Sequence, residues 1–241
     1  MAQEIVLYDL PSKDPCKSWS LNPWKTRLLL NFKGIPYKTI WLEYPEIEPF
    51  CKSVGIPPHN SGNEIADYTL PIVKFLDGRY IMHSQEIASE LEKFYPEPSL
   101  HIDVVMLEQL QTIIRGSILR YGALFIVGTS KNLLREESKG YFDRERGKRY
   151  GPLEQVERET DVEEMWERVG DGLRQIGTKS RANSEGPFLE GQRVSAGDFV
   201  IVGFMQWFRR IDVGFYERAV AIEPSLGVLY DSCQTWLEKD D

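Results

Sequence analysis

Hydrophobic and polar positions change period along the chain, and the changes mark its elements. Ile5-Val6-Leu7-Tyr8 is a short unbroken apolar run, the signature of a buried strand. A polar stretch from Asp9 to Asn22 follows, long for a strand-to-helix link and therefore a candidate functional loop. Leu28, Leu29 and Phe32 then share one helical face. Asn22 is placed to cap that helix, Pro23 to open it and Gly34 to end it, which predicts a helix over Pro23 to Lys33. Residues 37 to 41 read as a second strand, giving a right-handed β-α-β unit. Four prolines lie between Glu43 and Tyr68, and only a short helix near Ile47 to Val54 is expected there, followed by irregular chain. Two strands flank an Asp77-Gly78 turn, and a helix over Gln85 to Phe94 follows a serine.

Pro96 and Pro98 interrupt the pattern, and beyond them the period is helical throughout. Leu107, Leu110, Ile114, Ile118 and Tyr121 recur every three or four residues in a predicted helix from His101 to Ile126. Further helices are expected over 138–150, 161–176, 196–210 and 225–239. The order predicts an α/β domain over residues 1–95, a linker over 96–102 and an all-helical domain over 103–241. The 241 residues suffice for one large core or two smaller ones.

A net charge of −8 argues against a nucleic-acid partner. No long apolar run suggests a membrane span, and Met1 to Ile5 lacks a basic segment followed by an apolar one, so a cytoplasmic protein is expected. Cys16, Cys51 and Cys233 are odd in number and far apart, which speaks against disulfides. His59, His83 and His101 stand alone, so no metal site is expected. The mixed-sign run Asp143 to Arg149 reads as a solvated helix face with no partner.

Leu70-Pro71-Ile72 followed by His83-Ser84 resembles the cis-proline and serine elements of the glutathione transferases. Phe188-Leu189-Glu190-Gly191 with Val194-Ser195-Ala196-Gly197-Asp198-Phe199 resembles the capping box of their helical domain. The Asn22–Arg27 and Glu43–Pro49 segments resemble the fungal Fua class and the related β-etherase branch. The resemblance spans nearly the whole chain. It implies a thioredoxin-like domain (β-α-β-α-β-β-α) followed by an all-helical one, glutathione as co-substrate, and a homodimer. Small aromatic electrophiles or phenolics would be the second ligand, in a fungal detoxification setting. Two rival activities go with it: polyphenol binding without turnover, and glutathione-dependent cleavage of aryl ethers.

The resemblance implies roles for particular residues. Leu70, Pro71 and Ile72 would hold the peptide backbone of glutathione, with Ile72 offering a free N–H and C=O. Ser84 would cap a helix and receive the γ-glutamyl carboxylate. His83 stands where many members carry Glu or Gln, and Lys52 is placed for the glycyl carboxylate. Ser20 falls at the position that contacts the sulfur, with Ser18 and Asn22 as alternatives. Cys16 is a competitor for a thiol chemistry, but it lies four residues early. Arg115, Tyr121, Phe125, Trp207 and Phe208 would build the second-substrate pocket, against the plainer reading that they are core.

Overall fold

The computed structural model describes residues 4–59 and 66–240. The start of the N-terminal segment and the middle of the irregular stretch before Tyr68 lie outside the described residues. Four strands form one sheet: β1 (Ile5–Asp9), β2 (Tyr37–Trp41), β3 (Ile72–Lys74) and β4 (Tyr80–Met82), in the order β2-β1-β3-β4. β1 and β2 run parallel, joined by α1 (Leu21–Phe32); β3 runs antiparallel to β1, and β4 to β3. α2 (Tyr44–Ser53) follows β2, and α3 (Ser84–Phe94) follows β4. This is the thioredoxin-like arrangement. Gly78 takes a φ of 87° in the β3–β4 turn, a backbone state open to glycine at little cost.

The rest is helical. α4 (Val104–Ile113) runs on into a π-helical turn, Ile114–Leu119. The chain then breaks and turns by 88° into α5 (Ala123–Gly128) and a second π turn, Thr129–Leu133. A Cβ at Gly122 would stand 2.2 Å from the Phe125 ring, so the break needs a residue without one. The single helix expected over 101–126 is therefore two. α6 (Glu136–Tyr150), α7 (Leu153–Glu159), α8 (Val162–Ser180) and α9 (Ala196–Ile211) follow. α10 (Val213–Ile222) comes next, in a stretch where no helix was expected, and α11 (Pro224–Ser232) and α12 (Gln234–Leu237) stand where one helix was expected over 225–239. No single helix among the described residues is long and apolar enough to cross a membrane.

α9 is the central post. Its capping box forms as expected: Asp198 accepts from the Ser195 N–H and hydroxyl and from the Leu189 N–H. Burial pushes the Asp198 carboxyl up to about 6 against those hydrogen bonds. α9 joins the two halves through α1. Gly203 allows the close approach, because a Cβ there would sit 3.3 Å from the Lys25 backbone nitrogen.

Candidate active site

Strand register brings the predicted residues to one end of the sheet. Tyr8, near the end of β1, pairs with Ile72 at the start of β3, and Ile72 pairs with Met82 at the end of β4. The β1–α1 loop, Leu70-Pro71, and the start of α3 therefore share that edge. The Leu70–Pro71 bond is cis.

The register also moves one expectation. Ile72 is fully buried and paired on both sides, so it has no free edge to offer. The open backbone lies two residues before the ladder: no described residue bonds the N–H or C=O of Leu70. Pro71 accepts from the His83 N–H at 3.3 Å, which ties this segment to the start of α3.

α3 begins one residue earlier than expected. His83, not Ser84, is its N-cap, with a φ of 76° and no side-chain cap bond. Its ring lies 4.1 Å from that of His59. Ser84 occupies the first turn and is half-buried. The first intrahelical bond runs from Ile87 to His83, so the N–H groups of Ser84, Gln85 and Glu86 point out of the helix end, among the described residues without protein partners. Such an end favours an anion. Lys52, in the last turn of α2, is exposed and pairs with Glu48 at 2.6 Å.

α1 begins two residues before the expected Pro23, with Ser20 as N-cap. The three candidates in this loop are now distinct. Ser18 is fully buried and donates to Asp9 at 2.6 Å. Asn22 is exposed and accepts from Lys25 Nζ at 2.9 Å. Ser20 is half-buried, its carbonyl accepts from Trp24, and its hydroxyl makes no cap bond. The hydroxyl thus stands at the positive end of a twelve-residue helix with its donor uncommitted.

A buried ionic frame holds this loop. Arg27 and Asp9, both fully buried, meet at 3.0 Å, and Arg27 also reaches Thr39 and Tyr37. Burial pushes the Asp9 carboxyl up; Arg27, Ser18 and the Leu10 N–H pull against it. Trp24 Nε1 donates to the Ser18 carbonyl and Trp19 Nε1 to that of Pro11. The C-terminus adds a clamp: Ser18 N–H donates to the Asp240 carbonyl, and the Asp240 carboxylate pairs with Lys17 and Arg210. No pattern along the chain hints at this contact, since nothing local links residues so far apart. Cys16 lies in the same loop, half-buried. Cys51 and Cys233 are buried, and burial raises both thiols, Cys51 to about 11, as packing residues require.

Lys25 lines a narrow crevice with Ser84, Gln85 and Gln111. It is 8% exposed. Burial, helped by the charge of Arg115, brings its pKa down to about 8. The folded value lies below the unfolded one, so between pH 8 and about 10.5 the unfolded chain binds more protons and stability rises with pH. Lys25→Met is therefore expected to be more stable than the parent at pH 7, by on the order of 2–3 kcal/mol, with the gap closing towards pH 10.5. Urea midpoints across that range check it; a constant gap would show that Lys25 is not held charged at a cost.

Three of the expected pocket residues are core instead. Phe125 and Phe208 are fully buried and Trp207 is 5% exposed. Phe125 lies 4.4 Å from Phe208, 6.1 Å from Trp207 and 5.3 Å from Trp166, ring centre to ring centre. Their role is packing between α5, α8 and α9. Tyr121 is half-buried beneath the guanidiniums of Arg120 and Arg168. Arg115 is exposed and lines an open cleft of about 680 Å³ with Thr112, Gly116, Arg120, Arg149 and Tyr150. Arg149 belongs to the run that the sequence assigned to a solvated face.

Residues 19–93 match the N-terminal domain of glutathione S-transferases, and residues 108–216 match the C-terminal domain. The glutathione S-transferase-like protein ustS of Aspergillus flavus is 31% identical, over 92% of this chain and 86% of that protein. Glutathione transferase GSTFuA3 of Phanerochaete chrysosporium superposes with a TM-score of 0.86 at 28% identity, over 98% of both chains. CsGST63524 of Ceriporiopsis subvermispora, solved in complex with glutathione, gives 0.78 at 30% identity, over 92% of this chain and 97% of that one. Sheet, helical domain and both family matches converge: the chain belongs to the glutathione S-transferase superfamily, in its Fua class.

Proposed function

We propose that this protein transfers glutathione to small aromatic electrophiles, with Ser20 holding the sulfur as a thiolate. The observation that carries the reading is the uncommitted Ser20 hydroxyl at the head of α1, at the same sheet end as Leu70-Pro71 and the start of α3. A fungal relative binds glutathione in its solved complex, which supports the same ligand here. The cysteinyl backbone of glutathione would pair with Leu70 in the manner of an added strand. Its γ-glutamyl carboxylate would meet the open N–H groups of Ser84 to Glu86. Of the cis-proline segment, Leu70 rather than Ile72 then makes the contact.

A free thiol ionises near pH 8.5, so little of it is thiolate at neutral pH. Each unit of lowering requires about 1.4 kcal/mol of preference for the anion. One hydroxyl donor and the positive helix end supply about one to two units. The thiol proton passes to water. The sulfur electron pair forms the new S–C bond, and the leaving group departs with its own bonding pair.

The test is a glutathione titration followed by thiolate absorbance, with turnover of chlorodinitrobenzene measured beside it. A bound thiol ionising about one to two units below 8.5, together with turnover, is expected. Binding without a lowered thiol pKa and without turnover would leave a ligand-holding protein.

A further inference from the structure

Three cationic side chains are buried among the described residues: Arg27, Lys33 and Lys25. Arg27 meets Asp9 and Lys33 meets Glu92, as buried charges ordinarily require. Lys25 meets no carboxylate among the described residues. Its ammonium donates to the amide oxygen of Asn22 at 2.9 Å, and no described residue accepts from its two other N–H groups. Lys25 lines the crevice between α1, α3, α4 and α9. Ser84 and Gln85, in the first turn of α3, line it too, with Gln111 of α4. The other walls are apolar, Leu29 and Phe199 among them, and the space is about 20 Å³, room for one water-sized group. An ammonium between such walls attracts an anion more strongly than one in water, and the space admits a single oxygen of that anion and nothing bulkier. The open N–H groups of Ser84 to Glu86 belong to the same start of α3. Two independent positive features, a helix start and a buried ammonium without a countercharge, therefore meet at one crevice.

From this geometry we infer that Lys25 pairs with the γ-glutamyl carboxylate of glutathione and makes that charge a condition of binding. The inference rests on the glutathione reading of the site and deepens it, adding a specificity residue on α1 to the helix end of α3. The ligand supplies to Lys25 what Asp9 supplies to Arg27 and Glu92 to Lys33. A neutral group in place of the carboxylate leaves the ammonium buried and unpaired, which is how a polar site rejects an analogue sharply. Raised pH acts in the same direction. Arg115, on the π turn after α4, is the one charged group that acts on Lys25 among the described residues, and those that line the crevice with it from α3, α4 and α9 are uncharged. The free ammonium, brought down to about 8 by burial and by Arg115, gains a countercharge in the complex and keeps its proton to higher pH. Binding then takes up a proton above about pH 8 and weakens as pH rises.

The experiment titrates two ligands calorimetrically into the parent and into Lys25→Met. One is S-methylglutathione, which has no thiol to ionise; the other is the same compound with its γ-glutamyl carboxylate converted to a carboxamide. At pH 7 the parent is expected to hold the acid about ten- to a hundred-fold more tightly than the amide. Lys25→Met is expected to cut that ratio to about two- to five-fold, the share of the helix end. Between pH 7 and pH 9 the parent should lose about three- to ten-fold more affinity for the acid than the variant loses. In turnover of chlorodinitrobenzene the variant should show a raised KM for glutathione with kcat at saturation near the parent's. A lysine that only packs would move neither the acid-to-amide ratio nor its pH dependence. Acid and amide bound alike by the parent, or a preference that Lys25→Met leaves intact, overturns the inference while the transferase reading stands. A preference that Lys25→Met abolishes, with no turnover by the parent, supports the inference and removes the transferase reading. Binding of neither ligand to the parent removes both.

Discussion

Arg27→Ala is expected to destabilise the protein by about 3–5 kcal/mol at neutral pH, more than any other single change considered. Arg27 and Asp9 are both fully inaccessible, and removing one leaves the other's charge buried. Ser18 and the Leu10 N–H would still bond Asp9, but neither carries a countercharge. The loss also strips the guanidinium from between Trp24, Tyr37 and Trp41, whose ring centres lie 5.6–5.9 Å away. Without Arg27 the native Asp9 pKa, already raised, rises further above its unfolded value. A carboxyl so shifted stabilises the fold when protonated and loses that contribution as pH rises. The deficit of Arg27→Ala should therefore be larger at pH 8 than at pH 5. Asp9→Asn combined with Arg27→Met removes both charges and should recover most of the loss, since a buried pair replaced as a whole is often near neutral. Urea midpoints at the two pH values decide it. A single variant within about 1 kcal/mol of the parent would mean that the frame does not hold this domain.

Ser20→Ala should show the opposite profile, with little change in stability and a large loss of activity. Its hydroxyl makes no bond that the fold depends on, so the melting curve should move by less than about 0.5 kcal/mol. The thiol pKa of bound glutathione should rise by about one to two units, and kcat/KM near pH 7 should fall by about ten- to a hundred-fold. The two enzymes should converge above about pH 9, where the thiol ionises unaided. Ser18→Ala supplies the contrast. It breaks a buried bond to Asp9, so it should cost about 1–3 kcal/mol before it affects the thiol. A bound thiol whose pKa is the same in Ser20→Ala and parent would remove Ser20 from the mechanism.

These two variants separate what the loop does for the fold from what it does for the chemistry. Only the family resemblance put Ser20 ahead of Ser18 and Asn22, because turn-forming residues before a helix look alike whatever they face. Asp9 comes from β1 and Arg27 from α1, and only their meeting consumes the Ser18 hydroxyl. The sequence reading put the free backbone at Ile72, and strand register moved it to Leu70 by placing Ile72 inside the ladder.

Local sequence specified the order of elements in the sheet-bearing half, the turn at Asp77-Gly78, the capping box of α9 and the helical character of the rest. All of these are local: they depend on period, on residues three or four apart, or on the backbone freedom of one glycine. Only folding settles which aromatic side chains are core and which charges gather along one cleft. Phe125 and Phe208 lie far apart in the chain yet touch ring to ring. Arg149, in a run that reads as solvated, lines the same cleft as Arg120. Burial and proximity between distant residues are properties of the folded chain, and no local pattern encodes them.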